Sequence, residues 1–243
     1  AIDGSNNIYT TGYTVGTADL DPSAGTSTIS ALSSSRNVFI SKIDSSGNFV
    51  WGKGFLSSSY LESHAISADS FGNVYTTGYF SGATDFDPGV GTYSLTPTGS
   101  RSTFISKLNS SGDFVWTKSL ESINSITGRS IGVDSEQNVF TGGYFASSTD
   151  FDPGLSSFTL DTTSINDMFV SKLNSSGNFV WAKAIGGNGS DLAYGIDVDS
   201  SDYLHVAGYF SGTADFDTGA GTTSLTAGGT ADAFIMKIEN DLI

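Results

Sequence analysis

Short apolar blocks alternate with turn-forming residues along the chain, and the blocks recur at a fixed distance. Phe39, Phe104, Phe169 and Phe234 follow one another at steps of 65 residues. Two further sets keep nearly the same step: Trp51, Trp116 and Trp181, and Gly12, Gly78, Gly143 and Gly208. Recurrence this regular indicates tandem repeats. We place the four copies at approximately 1–65, 66–130, 131–195 and 196–243.

Each copy predicts four short strands joined by turns. Residues 74–80, 104–108 and 114–118 show the second, third and fourth strands, and residues 131–134 show the end of a first strand. The connecting residues are rich in Asp, Asn, Ser and Gly, which favour tight turns because Asx side chains bond the local backbone and Gly accepts positive φ. No apolar period near 3.6 competes with this pattern. The copies therefore predict antiparallel four-stranded meanders.

The strands carry apolar side chains on both faces, which indicates that each sheet is covered on two sides. Phe49 and Trp51 point to one face, and Val50 points to the other. Tandem four-stranded sheets that cover one another are typical of a β-propeller. We therefore predict an all-β fold, a β-propeller of four-stranded antiparallel blades, in a single domain over residues 1–243.

The last copy stops before its tryptophan-bearing strand, so the last blade is predicted to be incomplete. Three interpretations remain open. The chain is a fragment of a longer propeller, or a four-bladed ring with a short last blade, or a subunit whose missing strand comes from another chain.

Two longer strings carry a family resemblance. Asp69 to Tyr79 followed by Phe104 to Trp116 resembles the bacterial SBBP-type β-propeller repeat, and Asp134 to Tyr144 with Phe169 to Trp181 repeats it. The resemblance extends over all four copies. It implies a propeller on a secreted or surface-exposed bacterial protein, and it implies no particular activity.

Charge and composition narrow the choice of partners. The 243 residues include 25 acidic and 10 basic side chains, a formal charge of −15. Such a chain repels phosphate backbones, which argues against a nucleic-acid partner. Cysteine is absent, so no disulfide framework exists. No apolar run reaches the length of a membrane span, and we expect no direct membrane insertion.

Paired aspartates in the long middle connection form a candidate calcium site, because Asp-x-Asp supplies two oxygens from one segment. The alternative is a turn anchored by Phe86, Phe151 or Phe216 and capped by the first Asp of each pair. The candidate metal ligands are Asp19, Asp21, Asp85, Asp87, Asp150, Asp152, Asp215 and Asp217.

Lysine and histidine positions also follow the repeat. We expect the third-strand lysines to pair with aspartates, and those after Trp to guard sheet edges. His205 aligns with Tyr9, Tyr75 and Phe140, which indicates a core position, whereas His64 aligns with Arg129 and Tyr194. The two lysine sets are Lys42, Lys107, Lys172 and Lys237, and Lys53, Lys118 and Lys183.

The sequence contains no constellation of catalytic residues, so we predict a non-enzymatic, extracellular propeller module. It would be a structural or binding part of a larger bacterial surface or secreted protein, and its partners would be other domains of that protein or another surface protein. One alternative is a calcium-dependent, carbohydrate-binding propeller that recognises glycans. Another is a strand-donating subunit of a surface filament. A hydrolase would need a distinct acid in one blade, and the similar loops argue against it.

Overall fold

The computed structural model describes residues 1–30 and 35–239, and every regular element in those ranges is a β-strand. That part of the chain contains no helix of the length and apolarity that a bilayer crossing needs. Two compact units are present. The first comprises Ala1–Pro97 and Thr103–Ser119, and the second comprises Thr98–Ser102 and the described chain from Leu120 onward.

The first meander lies in the first unit. It begins with β1 (Ile8–Val15), continues through a small hairpin of β2 (Thr17–Asp19) and β3 (Thr28–Ser30), and ends with two long strands. These are β4 (Arg36–Ile43) and β5 (Phe49–Ser57), and the sheet order is β1-β4-β5, all antiparallel.

The second meander has four long strands in the order β6-β7-β10-β11. Within the first unit, β6 packs against β1 of the first meander. Its strands and hairpin are β6 (Leu61–Ala68), β7 (Val74–Phe80), β8 (Thr84–Asp85), β9 (Ser94–Leu95), β10 (Ser102–Leu108) and β11 (Phe114–Ser122).

The second unit holds the third and fourth meanders, with sheet orders β12-β13-β16-β17 and β18-β19-β22. Strand β12 packs against β18. The third comprises β12 (Ser125–Val133), β13 (Val139–Ala146), β14 (Thr149–Asp150), β15 (Thr159–Leu160), β16 (Asp167–Leu173) and β17 (Phe179–Gly187). The fourth comprises β18 (Leu192–Val198), β19 (Leu204–Phe210), β20 (Thr213–Asp215), β21 (Ser224–Thr226) and β22 (Asp232–Ile238).

The long middle connection folds as a short hairpin in every repeat, and in three of them it joins the sheet of the preceding repeat. Asp85 of β8 pairs with Leu56 of β5, and Asp215 of β20 pairs with Gly186 of β17. Strand β14 pairs in the same way with the end of β11. The hairpin therefore extends its neighbour's sheet rather than its own, which links consecutive repeats by backbone hydrogen bonds.

In the second, third and fourth repeats, the phenylalanine between the paired aspartates anchors the hairpin in the core, as the turn interpretation predicts, whereas the first repeat has Leu20 at this position. The Phe86 ring is fully buried and lies 5.4 Å from the Phe80 ring and 5.2 Å from the Phe104 ring. The Phe151 and Phe216 rings make equivalent contacts within their own repeats. Edge-to-face and tilted packing of three rings gives each of these three hairpins a large buried area for its few residues.

The turn between the first two strands follows the predicted Asx chemistry. Asp69 Oδ1 accepts hydrogen bonds from the backbone N–H groups of Phe71 and Asn73 at 2.9 Å. One residue of the turn has positive φ in every repeat, although only one of the four residues is glycine. These residues are Asn6, Gly72, Gln137 and Asp202, with φ of 61°, 79°, 66° and 60°.

Candidate binding surface

A β-bulge in the first strand of three repeats presents one side chain out of register. The ladder between β6 and β7 skips His64, and the equivalent ladders skip Arg129 and Tyr194. A bulge bends the strand and re-aims the extra side chain. The same repeat position therefore carries three different functional groups, an imidazole, a guanidinium and a phenol.

The recurring glycine on the second strand makes room for this bulge. A Cβ on Gly143 would lie 2.0 Å from the Thr127 carbonyl oxygen. Gly78 and Gly208 face the equivalent carbonyl oxygens of Glu62 and Leu192 at 1.9 Å. No side chain fits at that distance, so the bulge requires glycine at this position in the three repeats that contain it.

Each bulge residue faces the tyrosine that follows this glycine. The His64 ring lies 5.6 Å from the Tyr79 ring, the Arg129 guanidinium lies 5.6 Å from the centre of the Tyr144 ring, and the Tyr194 ring lies 5.8 Å from the Tyr209 ring. The tyrosine is constant while its neighbour varies. Each repeat therefore keeps the tyrosine and changes the side chain beside it, so the three equivalent positions offer different chemical groups to a ligand.

In the first unit these contacts extend into a chain of side chains that we name the first tyrosine ladder. The Arg36 guanidinium lies 4.7 Å from the Tyr13 ring centre and 5.5 Å from that of Tyr60. Arg36 also pairs with Glu62, whose second carboxylate oxygen is 3.7 Å from His64 Nε2. The first tyrosine ladder comprises Tyr13, Arg36, Tyr60, Glu62, His64 and Tyr79.

Glu62 is the charged centre of the first tyrosine ladder. Burial by itself would raise the pKa of Glu62, but hydrogen bonds from Tyr79 and Arg36 and the Arg36 charge hold that pKa below its usual value. The carboxylate therefore stays ionised and fixes the guanidinium between two exposed rings. The Tyr13 and Tyr60 side chains are 48% and 56% exposed and offer open aromatic surface.

The second unit has its own ladder, built from Arg129, Tyr144, Tyr194 and Tyr209, which we name the second tyrosine ladder. The Arg129 guanidinium lies over the Tyr144 ring and is 5.8 Å from the centre of the Tyr194 ring in the next repeat. Tyr194 is 49% exposed. Guanidinium groups stack on aromatic faces, which orders both partners and leaves hydrogen-bond donors at the rim.

The paired aspartates lie in the hairpins and use their oxygens to shape the turns. Asp85 Oδ1 accepts the N–H groups of Asp87 and Tyr93 at 3.1 and 2.8 Å, and Asp87 Oδ1 accepts that of Gly89 at 2.8 Å. The same bonds form from Asp19 and Asp21, from Asp150 and Asp152, and from Asp215 and Asp217. Across residues 1–30 and 35–239, no three His, Cys, Asp or Glu side chains come together as a metal site. Calcium binding by these pairs stays a prediction.

Lys42 and Lys172 lie over the aromatic residue that faces each of them across the sheet, whereas Lys237 lies over Tyr203, which is not its partner in the ladder. Lys42 Nζ is 5.0 Å from the Tyr9 ring centre, and Lys172 Nζ is 5.3 Å from that of Phe140. The predicted pairing with an aspartate is present at Lys237, whose Nζ is 3.9 Å from Asp199 Oδ2.

His205 occupies the repeat position of Tyr9 and binds the turn aspartate of its own repeat, Asp199. Its Nε2 lies 2.9 Å from Asp199 Oδ2, where Tyr9 donates its hydroxyl to Asp3 in the first repeat. The hydrogen bond with His205 is the main cause that lowers the pKa of Asp199 to about 2. The His205 side chain is 40% exposed, so the core position that its alignment predicts is wrong, although the bond to Asp199 gives the ring a structural role in the turn.

Two buried carboxylates form a pair that the sequence analysis missed. Asp167 and Asp191 are 2% and 0% exposed, and burial raises the pKa of both carboxyl groups, to about 6 for Asp191. Asp191 aligns with Leu61 and Ile126, which are both fully buried. A carboxylate at a repeat position that is otherwise apolar is the sequence signal that could have revealed this pair. Neither carboxyl group is presented to solvent.

Comparison with known proteins finds a partial match to a repeat protein. No known family profile matches it. It is 30% identical over 125 residues to an uncharacterised WD repeat-containing protein of Acanthamoeba polyphaga mimivirus, a match that covers 50% of this chain and 9% of the relative. Among solved structures, a protein of unknown function from Bacteroides caccae aligns over 81% of this chain and 82% of its own, with 11% identity and a TM-score of 0.24.

Proposed function

We propose that this chain is a non-enzymatic β-propeller module, of the SBBP type, that binds a protein partner through its two tyrosine ladders. The module would belong to a larger bacterial surface or secreted protein. The observation that carries the proposal is the repeated bulge, which places His64, Arg129 and Tyr194 beside equivalent tyrosines. The likeness to a WD repeat-containing protein supports an interaction module in general.

The chemistry of the ladders suits protein recognition. Tyr and Arg are enriched at protein interfaces because they combine large contact area with hydrogen bonding. Tyr60 and Tyr194 expose about half of their surface, while Arg36 and Arg129 hold their rings in place. Several equivalent, individually weak sites on one module raise avidity when the partner is itself repetitive.

A peptide-display selection on the intact chain tests the proposal. Selected peptides are expected to lose about tenfold or more in affinity for Tyr194→Ala and Arg129→Ala, since truncating an interface anchor typically costs more than about 1.4 kcal/mol. The matched control is Leu155→Ala, which removes a fully exposed side chain from the tip of a hairpin in the same unit. Peptides that bind all three variants equally well, or a selection that enriches nothing, would count against the proposal.

A second candidate is a carbohydrate-binding module that depends on calcium, and the open faces of Tyr13, Tyr60 and Tyr194 favour it. Sugar rings stack on exposed aromatic faces, and the paired aspartates would hold the cation. A glycan array probed with and without calcium separates the two candidates. Glycan binding that is lost in Tyr194→Ala supports the second candidate, and no glycan binding in either condition removes it.

A further inference from the structure

One carboxylate oxygen in the second unit is buried without a hydrogen-bond donor. Asp167 is 2% exposed, and its Oδ2 accepts the backbone N–H and the hydroxyl of Thr163 at 2.8 and 3.0 Å. Its Oδ1 has no hydrogen-bond partner in the part of the chain that the structure describes. Buried polar atoms almost always have a partner, so this oxygen points to a ligand.

The second repeat meets the same need from another strand. Glu121 stands at the repeat position of Gly186, and its Oε2 accepts the N–H and hydroxyl of Thr98 and the hydroxyl of Ser102. Ser102 in turn stands at the repeat position of Asp167. The third repeat has therefore moved the carboxylate from the fourth strand to the third and placed glycine where the glutamate was. The exchange keeps an acceptor for the threonine and leaves no side chain on Gly186.

Asp191 directs a second carboxylate to the space beside this glycine. It is 0% exposed and stands at a repeat position that is apolar in the second and third repeats. Asp191 Oδ2 lies 2.9 Å, and Asp167 Oδ1 lies 2.7 Å, from the point that a Cβ on Gly186 would occupy. Two buried carboxylates that converge on one space repel each other unless a positive charge lies near both.

We propose that Asp167 Oδ1 and Asp191 Oδ2 bind one calcium ion beside Gly186. The ion would neutralise both carboxylates, whereas a single shared proton would leave one negative charge buried. Calcium accepts a flexible set of oxygen ligands that includes carboxylates, backbone carbonyls and water, while magnesium demands near-octahedral geometry and keeps several of its waters. Calcium therefore suits a pair of carboxylates enclosed by backbone.

The surroundings supply further oxygens and a route for the ion. The Thr163 hydroxyl bonds both Asp167 Oδ2 and the Gly187 carbonyl oxygen, at 3.0 and 2.7 Å, which sets a backbone oxygen beside the carboxylates. Thr163 is itself exposed, so the pair lies directly beneath the surface loop that an ion would pass. The site shares no residue with the paired aspartates of the hairpins.

Calcium titration of the intact chain, freed of metal with EDTA and then transferred to neutral buffer, tests the proposal. Calorimetry is expected to show one site with a Kd of about 0.1–1 mM, the range of extracellular calcium modules. Calcium chloride at about 10 mM is expected to raise the melting temperature by about 4 °C or more relative to EDTA, because the ion binds the folded chain alone.

Two substitutions should weaken calcium binding, and two should leave it unchanged. Asp191→Asn and Asp167→Asn are each expected to raise the Kd at least tenfold, since each removes one of the two charges on the ion. Asp197→Asn is the matched control, because it removes the same charge from an exposed position in the same strand as Asp191. Asp215→Asn, in a hairpin of the same unit, separates this site from the hairpin aspartates.

Terbium luminescence gives a local measurement on variants that circular dichroism shows to be folded. Burial is the main cause that raises the pKa of Tyr209, and the Asp191 charge contributes to it, so this phenol lies near enough to sensitise a bound terbium ion. Emission that calcium displaces is expected from the unmodified chain and from Asp197→Asn. It is expected to be at least tenfold weaker in Asp191→Asn.

Three results would overturn the proposal. The first is a chain that shows neither heat nor a shift in melting temperature up to about 10 mM calcium, because a proton alone would then neutralise the pair. The second is an equal calcium response in Asp191→Asn and the unmodified chain. The third is a response that Asp215→Asn abolishes and Asp191→Asn retains, which would assign the ion to the hairpins.

Discussion

Asp167 and Asp191 hold two buried carboxylates against the same glycine, Gly186. Asp167 Oδ1 and Asp191 Oδ2 lie 2.7 and 2.9 Å from the point that a Cβ on Gly186 would occupy. Each carboxylate also accepts backbone N–H groups, from Thr163 for Asp167 and from Gly187 and Ser211 for Asp191. The two carboxylates therefore bind the backbone of two loops in the second unit, although burial disfavours their charged forms.

This pair predicts a pH-dependent loss of stability between about pH 4 and pH 6. Burial, together with the Asp167 charge, raises the pKa of Asp191 to about 6 from 3.8. The folded chain therefore binds an extra proton between these values, so the free energy of unfolding falls as pH rises from about 4 to 6 and stays low above that range. The step amounts to about 3 kcal/mol at 1.36 kcal/mol per pKa unit.

Asp191→Asn is expected to remove that step, because the amide cannot ionise. Urea denaturation from pH 4 to pH 8 measures the unfolding free energy of both proteins. The difference between the variant and the unmodified chain should shift in favour of the variant as pH rises, and the variant should be the more stable of the two at pH 8. A variant whose pH profile runs parallel to that of the unmodified chain would show that Asp191 is already ionised in the folded protein.

The bulge glycines should be intolerant of a methyl group. Gly143→Ala would bring a Cβ to 2.0 Å from the Thr127 carbonyl oxygen, so it is expected to lower the free energy of unfolding by about 2–4 kcal/mol. Gly195→Ala is the control, because its Cβ would meet nothing closer than 4.0 Å. That variant should be unchanged or up to about 1 kcal/mol more stable. Equal stability of the two variants would contradict the bulge geometry.

The turn residue Gln137 offers a stabilising substitution. Its φ of 66° lies in the left-handed region, which costs a non-glycine residue about 1 kcal/mol. Gln137→Gly is expected to raise the melting temperature, and Gly47→Ala, at φ 84° with nothing within 4 Å, is expected to lower it. Thermal unfolding followed by circular dichroism measures both. Shifts in the same direction would show that backbone strain is not the cause.

The hairpin aspartates should be important for stability whether or not they bind a cation. Asp85→Ala leaves the N–H groups of Asp87 and Tyr93 without their acceptor and is expected to cost about 1–2 kcal/mol. Asp85→Asn, which keeps the Oδ1 acceptor, should cost less. Melting with EDTA tests calcium separately, since only a bound cation makes chelation lower the melting temperature of the unmodified chain. A melting temperature that EDTA leaves unchanged would remove the calcium site.

The fold was predictable wherever a residue's role is local. The segment 74–80 was predicted as a strand with the bounds that β7 has, because alternation of side chains and flanking turns act over a few residues. The third strand, predicted over 104–108, begins two residues earlier in the structure. The first strand was predicted least well, since β12 begins at Ser125, and its bulge interrupts the alternation on which the prediction depends.

Only part of the candidate binding surface could be predicted from the sequence. Alignment of His64 with Arg129 and Tyr194 is a property of the sequence, and so is the glycine that precedes each ladder tyrosine. These residues meet because the bulge brings a backbone carbonyl oxygen to the place where a Cβ on the glycine would lie. No pattern in the sequence predicts that close approach. The contact between Asp167 and Asp191 could not be predicted either, because the two residues are separated along the chain and meet only in the folded structure.

The sequence by itself determined the repeat, the strand type, the turn chemistry and the buried phenylalanines, because each depends on neighbouring residues and on the period of the side chains. Only the tertiary structure decided which repeat each hairpin joins, where the bulges aim their side chains and that Asp167 meets Asp191. Those outcomes depend on contacts between strands that are separated along the chain, such as Leu56 with Asp85, and the energy of backbone pairing lies in main-chain groups that every residue shares.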